Sequence, residues 1–340
     1  MSSQVNRTKV TLLGFGTVGQ GLAQALAEKK SYLEERGLSF DLVAVADSRS
    51  QAVDAGGLDP MSLIDRKRSS GRVGDSPQSV LDMIREVDSD VVVEVTPGNP
   101  KNGEPALSHI REALRLSRHV VSANKMPLAL HFAELKGMAQ SGVALRYSAC
   151  VGGGIPMLET GTACRQAEEV MAIDGVLNAT SNFILTKMQE EGSDYASALR
   201  EAQSLGYAEA DPSLDVDGFD AAAKLVILAD HVMGRNLTLA DVRPMLGIRD
   251  TSLQDIRRAR SKGSFIRPLA TVSKTAEVGP KEVDSRNPLN VFGATNVVVF
   301  RCEDSGERVV AGASGGGVAT SRAVLRDLVA IAQGTGKGRD

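Results

Sequence analysis

The feature that most constrains this chain is a nearly apolar run, residues 9–14, that ends in a glycine-rich turn and passes directly into a helical stretch, residues 18–35. The turn reads Gly14-Phe-Gly-Thr-Val-Gly19. In a strand–turn–helix setting the first glycine allows the tight turn, the second lets a backbone approach a pyrophosphate, and the third permits close helix packing. The amides at the helix start then face the anion. Gly14, Phe15, Gly16, Thr17, Val18 and Gly19 are therefore candidate dinucleotide contacts.

The alternation continues, with residues 41–46, 90–95, 119–122 and 143–147 reading as strands and residues 104–116 and 128–140 as helices. Strands that are almost wholly apolar and alternate with helices specify a parallel sheet covered on both faces. Right-handed crossovers make such a sheet doubly wound. Asp47 ends the second strand, where an acid accepts hydrogen bonds from an adenosine ribose and repels a 2'-phosphate. Arg49 pulls the other way, since a guanidinium pairs with that phosphate. NAD is favoured slightly over NADP. Thr96, Pro97, Asn124 and Lys125 follow later strands, outside the carboxyl ends of the sheet where ligands of such folds bind. The polar segment 48–77, with its basic run Arg66-Lys67-Arg68, is expected to be a mobile excursion over the cofactor side.

Residues 151–156, Val-Gly-Gly-Gly-Ile-Pro, break the alternation and open a second domain. The expected division is a nucleotide-binding domain over 1–150, completed by a terminal helix at 318–340, and a substrate and dimerisation domain over 151–317. In the second domain, residues 178–182 read as a polar cap leading into a helix over 183–189. Thr180 and the amides around it are suited to a carboxylate. Residues 264–272 and 297–301 read as strands of an open sheet, a common dimerisation element. Gly312-Ala-Ser-Gly-Gly-Gly317 forms a second glycine-rich helix start, so Gly312 and Gly316 join the cofactor candidates. The densest chemistry lies in residues 206–224, where Glu209, Asp211, Asp215, Asp217 and Asp220 crowd near Lys224. So many like charges call for a cation among them. Asp220 and Lys224 share a helix face at four-residue spacing.

Charge and cysteine content exclude several classes. The net charge is −3, which gives no electrostatic footprint for nucleic acid. No apolar run approaches a membrane span, and the first residues lack the apolar region of a signal peptide. Cys150, Cys164 and Cys302 are widely spaced and odd in number, so no disulfide framework is implied and a reducing, cytoplasmic compartment fits. The four histidines lack metal-ligand spacing.

These motifs resemble the homoserine dehydrogenases, in the short form without a C-terminal regulatory domain. The resemblance rests on Gly-Phe-Gly-Thr-Val-Gly at 14–19, Gly-Glu-Pro-Ala-Leu at 103–107, Ala-Asn-Lys at 123–125, and the turn at 151–156. It extends through residues 178–182, the 206–224 block and the 312–317 loop. It implies an α/β enzyme with a Rossmann-like doubly wound parallel sheet domain and an α+β catalytic and dimerisation domain with an open sheet. It also implies NAD(P)-dependent interconversion of L-homoserine and L-aspartate 4-semialdehyde, a place in threonine and methionine biosynthesis, and a homodimer. By resemblance, Glu209 and Asp215 receive the substrate ammonium, while Tyr207, Thr180 and the amides near Ala179 shape its carboxylate end. Lys125 and Lys224 then face the reacting oxygen, and Asp220 orients Lys224.

Four positions depart from the family pattern. Met126 stands where a glycine is usual after Ala-Asn-Lys, Ala179 where Asn-Gly-Thr has glycine, and Cys150 where a threonine is usual. Ser148 stands where a glutamate helps bind a monovalent cation in relatives, so only a weak ion site near Val151 and Gly153 is expected. The added bulk of Met126 and Ala179 leaves open a related oxidoreductase acting on a different small hydroxy compound.

Overall fold

The computed structural model of the protein describes residues 5–75, 79–139, 142–313 and 316–334. The chain divides into two compact units, one drawn from Met1–Gly154 and Gly316–Asp340, the other from Ile155–Gly315.

The first unit runs β1 (Asn6–Leu13), α1 (Thr17–Glu28), α2 (Lys30–Glu34), β2 (Leu38–Ala46), β3 (Gln51–Val53), α3 (Pro60–Ser70), α4 (Val80–Glu86), β4 (Val91–Glu94), α5 (Ala106–Arg115), β5 (His119–Ser122), α6 (Lys125–Met138) and β6 (Leu145–Arg146). Its six strands lie in the order β3-β2-β1-β4-β5-β6. Every pair is parallel except β2 with β3. Val91, Val92 and Val93 are completely buried because helices cover both faces of the sheet centre, which is why the strand reads as an unbroken apolar run.

Several expected bounds shift. The helix expected over 18–35 is two helices, broken at Lys29, whose backbone leaves the helical region. β2 starts at Leu38, earlier than expected, so it takes up part of the segment between the first helix and residue 41. α6 starts at Lys125 and carries a non-helical residue, His131; Gln140, the expected helix end, lies outside the described residues. The segment 48–77 is not a loose excursion. It builds β3 and α3, and α3 has Asp59 capping Ser62 at its start and Gly71 in the left-handed region at its end. Pro77 lies outside the described residues.

The second unit contains α7 (Met157–Arg165), β7 (Val170–Val176), α8 (Ala179–Glu191), α9 (Tyr195–Ser204), α10 (Ser213–Val216), α11 (Phe219–Met233), β8 (Val242–Met245), α12 (Leu253–Ser261), β9 (Ser264–Val272), β10 (Ala276–Asp284), β11 (Thr295–Cys302) and β12 (Gly306–Ala313). Its sheet has the order β12-β11-β7-β9-β10-β8, open at both edges and antiparallel apart from β8 with β10. Phe183, Ile184 and Met188 of α8 pack with Ile256 of α12 and Ile266 of β9, one apolar face per element. Val176, Leu269, Val297 and Val299 form a separate cluster with Leu289 of the 285–294 loop. α13 (Gly317–Ala332) returns to the first unit, where Val324 and Leu328 join the core of Leu12, Phe15 and Leu22. Residues 335–340, the end of the expected terminal helix, lie outside the described residues. Among the described residues no helix is long and apolar enough to cross a membrane.

Candidate active site

In the first unit the glycine turn has the geometry its sequence specifies. Gly14 has φ +100°, and a Cβ there would lie 2.7 Å from the Val95 carbonyl oxygen. A Cβ at Gly19 would lie 2.1 Å from the Gly14 oxygen, whereas one at Gly16 would meet nothing within 4 Å. The turn is therefore tight at its two ends and open at its middle, where Gly16 caps α1 without any side chain taking the first amides. That open cradle at a helix start fits a dinucleotide pyrophosphate. Thr17 begins α1 and Val18 is half-buried beside it. Phe15 does not fit as a side-chain contact, because its ring is core and its carbonyl accepts from Gln20 Nε2 at 3.2 Å.

Gly316 caps α13, and a Cβ at Gly317 would lie 2.2 Å from Thr17 Cγ2, so this second helix start rests on the first residue of α1. Gly312 belongs to a strand and not to the helix start. It sits in β12 opposite Asn296, in the other unit, where the strand pairing fixes it. Ser314 and Gly315 of the glycine-rich stretch lie outside the described residues.

Asp47 is not an idle loop acid. Its Oδ1 accepts the Arg49 and Ser50 amides at 2.7 Å each and the Ser50 hydroxyl at 3.0 Å, while Oδ2 takes Lys67 Nζ at 2.7 Å. Burial opposes its ionisation, but Lys67 and these donors together outweigh burial and hold its pKa below the usual carboxylate value. Lys67 also donates to Gly71 O at 3.0 Å. A Cβ on Gly71 would lie 3.8 Å from an Arg49 guanidinium nitrogen, so two cations gather where only Arg49 was expected. The basic run on α3 held the missed signal.

Thr96, Pro97 and Asn124 are hydrogen-bonded together, with Lys125 next in sequence. Asn124 Nδ2 donates to Thr96 O at 3.1 Å and Pro97 O at 3.3 Å, and its Oδ1 accepts the Met126 amide at 3.3 Å. Asn124 thus ties the β4 loop to the α6 start, with Lys125 as the first helical residue. Met126 is buried against Gly98. Cys150 donates to Ser122 O at 3.3 Å, and burial pushes its thiol up to about 12, so it stays neutral. Ser148 does not leave its position without charge: its amide and hydroxyl donate to Asp327 of α13 at 2.8 and 2.7 Å. Val151 is fully buried beside it, and Gly153 follows with φ +60°. Among the described residues no group of three or more His, Cys, Asp or Glu side chains is arranged to hold a metal.

In the second unit the acidic block sorts itself by partner. Asp211 caps Ser213, and Asp217 pairs with Arg249, a cation the sequence reading did not anticipate. Asp215 and Asp220 converge instead on Asn178, whose Nδ2 donates to Asp215 Oδ1 at 2.6 Å and Asp220 Oδ2 at 2.9 Å. Asp220 Oδ2 lies 2.6 Å from Lys224 Nζ, and that nitrogen also donates to Leu177 O at 2.8 Å. The Asp220 and Lys224 side chains are only 12% and 13% exposed, so the pair is largely desolvated. The expected helix over 183–189 starts earlier, at Ala179, because Asn178 Oδ1 caps Ser181. Thr180 Oγ1 is already spent on Tyr207 O at 2.6 Å. Tyr207 stacks on Phe183 with ring centroids 4.6 Å apart. Glu209 is exposed, and among the described residues no side-chain hydrogen bond joins it to the Asn178 group.

A Rossmann-like dinucleotide-binding unit, joined in one chain to a unit with a carboxylate-clamped lysine, defines a nicotinamide-dependent oxidoreductase. The model of the homoserine dehydrogenase NAD binding domain matches residues 14–147, and that of homoserine dehydrogenase matches residues 156–329. The chain is 41% identical over 335 residues to homoserine dehydrogenase of Methanocaldococcus jannaschii, covering 96% of this chain and 99% of that protein. It is 37% identical to the NAD(+)-dependent homoserine dehydrogenase of Pseudomonas canavaninivorans, covering 96% of each. A solved hyperthermophilic archaeal homoserine dehydrogenase in complex with NADPH superposes with a TM-score of 0.84 at 30% identity, covering 96% of this chain and 98% of that one. The chain belongs to the homoserine dehydrogenase family, NAD(P)-dependent oxidoreductases acting on a CH–OH group.

Proposed function

We propose that the protein interconverts L-homoserine and L-aspartate 4-semialdehyde by direct hydride transfer with NAD or NADP, and that Lys224 relays the hydroxyl proton. The observation that carries this reading is the clamp on Lys224 Nζ, held between Asp220 and the Leu177 carbonyl in a largely desolvated site. The bound nicotinamide supplies the hydride acceptor. As the carbinol carbon gives up hydride, Nζ as the neutral amine takes the hydroxyl proton, and Asp220 favours the ammonium that forms. Lys125 is the second lysine assigned to the reacting oxygen, presented at the start of α6. Asp215, held by Asn178, is assigned to the substrate ammonium with Glu209. The α8 amides at Ala179 and Thr180 are assigned to its carboxylate, with Tyr207 packing alongside. High identity to relatives over nearly their full length supports homoserine over another small hydroxy compound.

Gly14, Gly16, Thr17, Gly19 and Gly316 are assigned to the dinucleotide, with Thr96, Pro97 and Asn124. Arg49 and Lys67 beside Asp47 suit a 2'-phosphate better than the sequence alone suggests, so both NAD and NADP are accommodated. A homodimer through the open sheet and a cytoplasmic location complete the proposal. Nicotinamide absorbance with homoserine and each cofactor tests it. Turnover with homoserine that collapses in Lys224→Ala is expected; wild-type inactivity with both cofactors would overturn the reading.

A further inference from the structure

Glu94, the last residue of β4, is completely buried, and no part of the proton relay uses it. Its Oε1 accepts the Thr96 amide at 2.7 Å and also the Thr96 hydroxyl, while Oε2 lies 2.7 Å from Nδ1 of His109, itself 5% exposed. A buried carboxylate is costly unless each oxygen finds donors, and here both do. Thr96 is half-buried, and Pro97 and Gly98 after it are exposed, at the carboxyl edge of the sheet. Asn124 then clamps the Thr96 and Pro97 carbonyls.

A threonine hydroxyl has one hydrogen to donate and two lone pairs to offer. Glu94 consumes the hydrogen. We infer that Glu94 is a positioning residue for the dinucleotide: it fixes Thr96 as a hydrogen-bond acceptor only, so that Thr96 pairs with an O–H or N–H donor of the cofactor and never with its pyrophosphate. The pyrophosphate oxygens of a dinucleotide are ionised near neutral pH and only accept, and a hydroxyl without a free hydrogen has nothing to give them. The donors that remain on a dinucleotide are its ribose hydroxyls and amino groups, including the nicotinamide carboxamide. His109 completes the arrangement by holding Oε2, which stops the carboxylate from turning away from Thr96. The inference rests on the dinucleotide reading above.

Calorimetric titration of the whole protein with NAD, ADP-ribose and inorganic pyrophosphate tests it in four chains: wild type, Thr96→Val, Glu94→Met and Glu94→Gln. Thr96→Val removes the hydroxyl with little change of shape and is expected to weaken NAD about five- to tenfold, the scale of one hydrogen bond. ADP-ribose weakened equally assigns the donor to a ribose or to the adenine amino group, and ADP-ribose unchanged assigns it to the carboxamide; pyrophosphate binding stays within twofold in either case. Glu94→Met frees the loop and is expected to weaken NAD at least tenfold. Glu94→Gln can still accept from Thr96 through its oxygen and recovers at least a third of the wild-type affinity, with the homoserine KM moved less than twofold. Thr96→Val binding NAD within twofold of wild type would overturn the inference even if Glu94→Met fails to fold, as would a matching loss for pyrophosphate. Wild-type protein that binds neither NAD nor NADP, titrated alongside it, would sink the oxidoreductase reading and this inference together, whereas unchanged variants sink this inference alone.

Discussion

Replacing Asp220 with Asn keeps the shape of the side chain and removes only its charge, which isolates what the carboxylate does for Lys224. The Asp220 oxygen and the Lys224 nitrogen that becomes charged are 2.6 Å apart with both side chains largely buried. At an effective dielectric constant of about 20 the gross attraction is about 6 kcal/mol, but the amide still accepts a hydrogen bond and desolvation has already taken its share. The net worth of a hydrogen bond to a charged group, about 2–3 kcal/mol, is the better guide. In the oxidising direction positive charge grows on Nζ as it takes the hydroxyl proton, so that energy is realised mainly in the transition state. Asp220→Asn is thus expected to lower kcat about 30- to 150-fold, since each 1.36 kcal/mol is about tenfold. The homoserine KM should change less than threefold. Initial rates with saturating cofactor measure both quantities, and a melting curve confirms that the variant is folded. Asp220 acts through Lys224, so adding Asp220→Asn to Lys224→Ala should cost little further. A folded Asp220→Asn variant with kcat within threefold of wild type, or a double variant that loses the product of the two single effects, refutes the proposed role.

Three further outcomes follow from the geometry. Gly16→Ala is expected to raise the dinucleotide KM at least about tenfold with an unchanged Tm, because its methyl enters open space where the pyrophosphate approaches, while Gly19→Ala should lower Tm, since its methyl meets the Gly14 oxygen; equal effects on Tm would contradict this. Asp47→Ser releases Lys67 and should improve the NADP to NAD ratio of kcat/KM about tenfold. Because the Asp47 pKa is depressed, its share of stability is complete above about pH 4 and lost as pH falls through the lowered value, so the variant's Tm should fall less steeply in acid. Asp230 is buried, and burial raises its pKa to about 7, so the stability tied to its neutral form is full below about pH 4 and lost as pH rises toward 7. Asp230→Asn, which keeps an acceptor for the Leu237 amide, should raise Tm at pH 8 by about 2–4 °C for each kcal/mol relieved and have little effect near pH 4; an equal shift at both pH values would contradict the assignment.

What was legible in the chain, and what was not, divides along physical lines. The nucleotide unit could be read because both of its signals are local: unbroken apolar strands need cover on both faces, and Gly14 and Gly19 have no room for a Cβ. The i to i+4 spacing of Asp220 and Lys224 was equally local, and the pair forms. Partners far apart in sequence were not legible, since Asp217 meets Arg249, Ser148 meets Asp327 and Asp47 meets Lys67 only after the chain folds. The crowd of acids at 209–220 looked like one site, yet Asp211 and Asp217 find neighbours of their own, while Asp215 and Asp220 share Asn178. Gly312 misled for a related reason: a glycine-rich string suggests a loop, but pairing along β11 carries the strand through it. Glu94 did leave a trace in the sequence. It is a carboxylate closing a strand of three buried valines, and such a residue must find donors inside the protein, which is the constraint that makes Thr96 an acceptor.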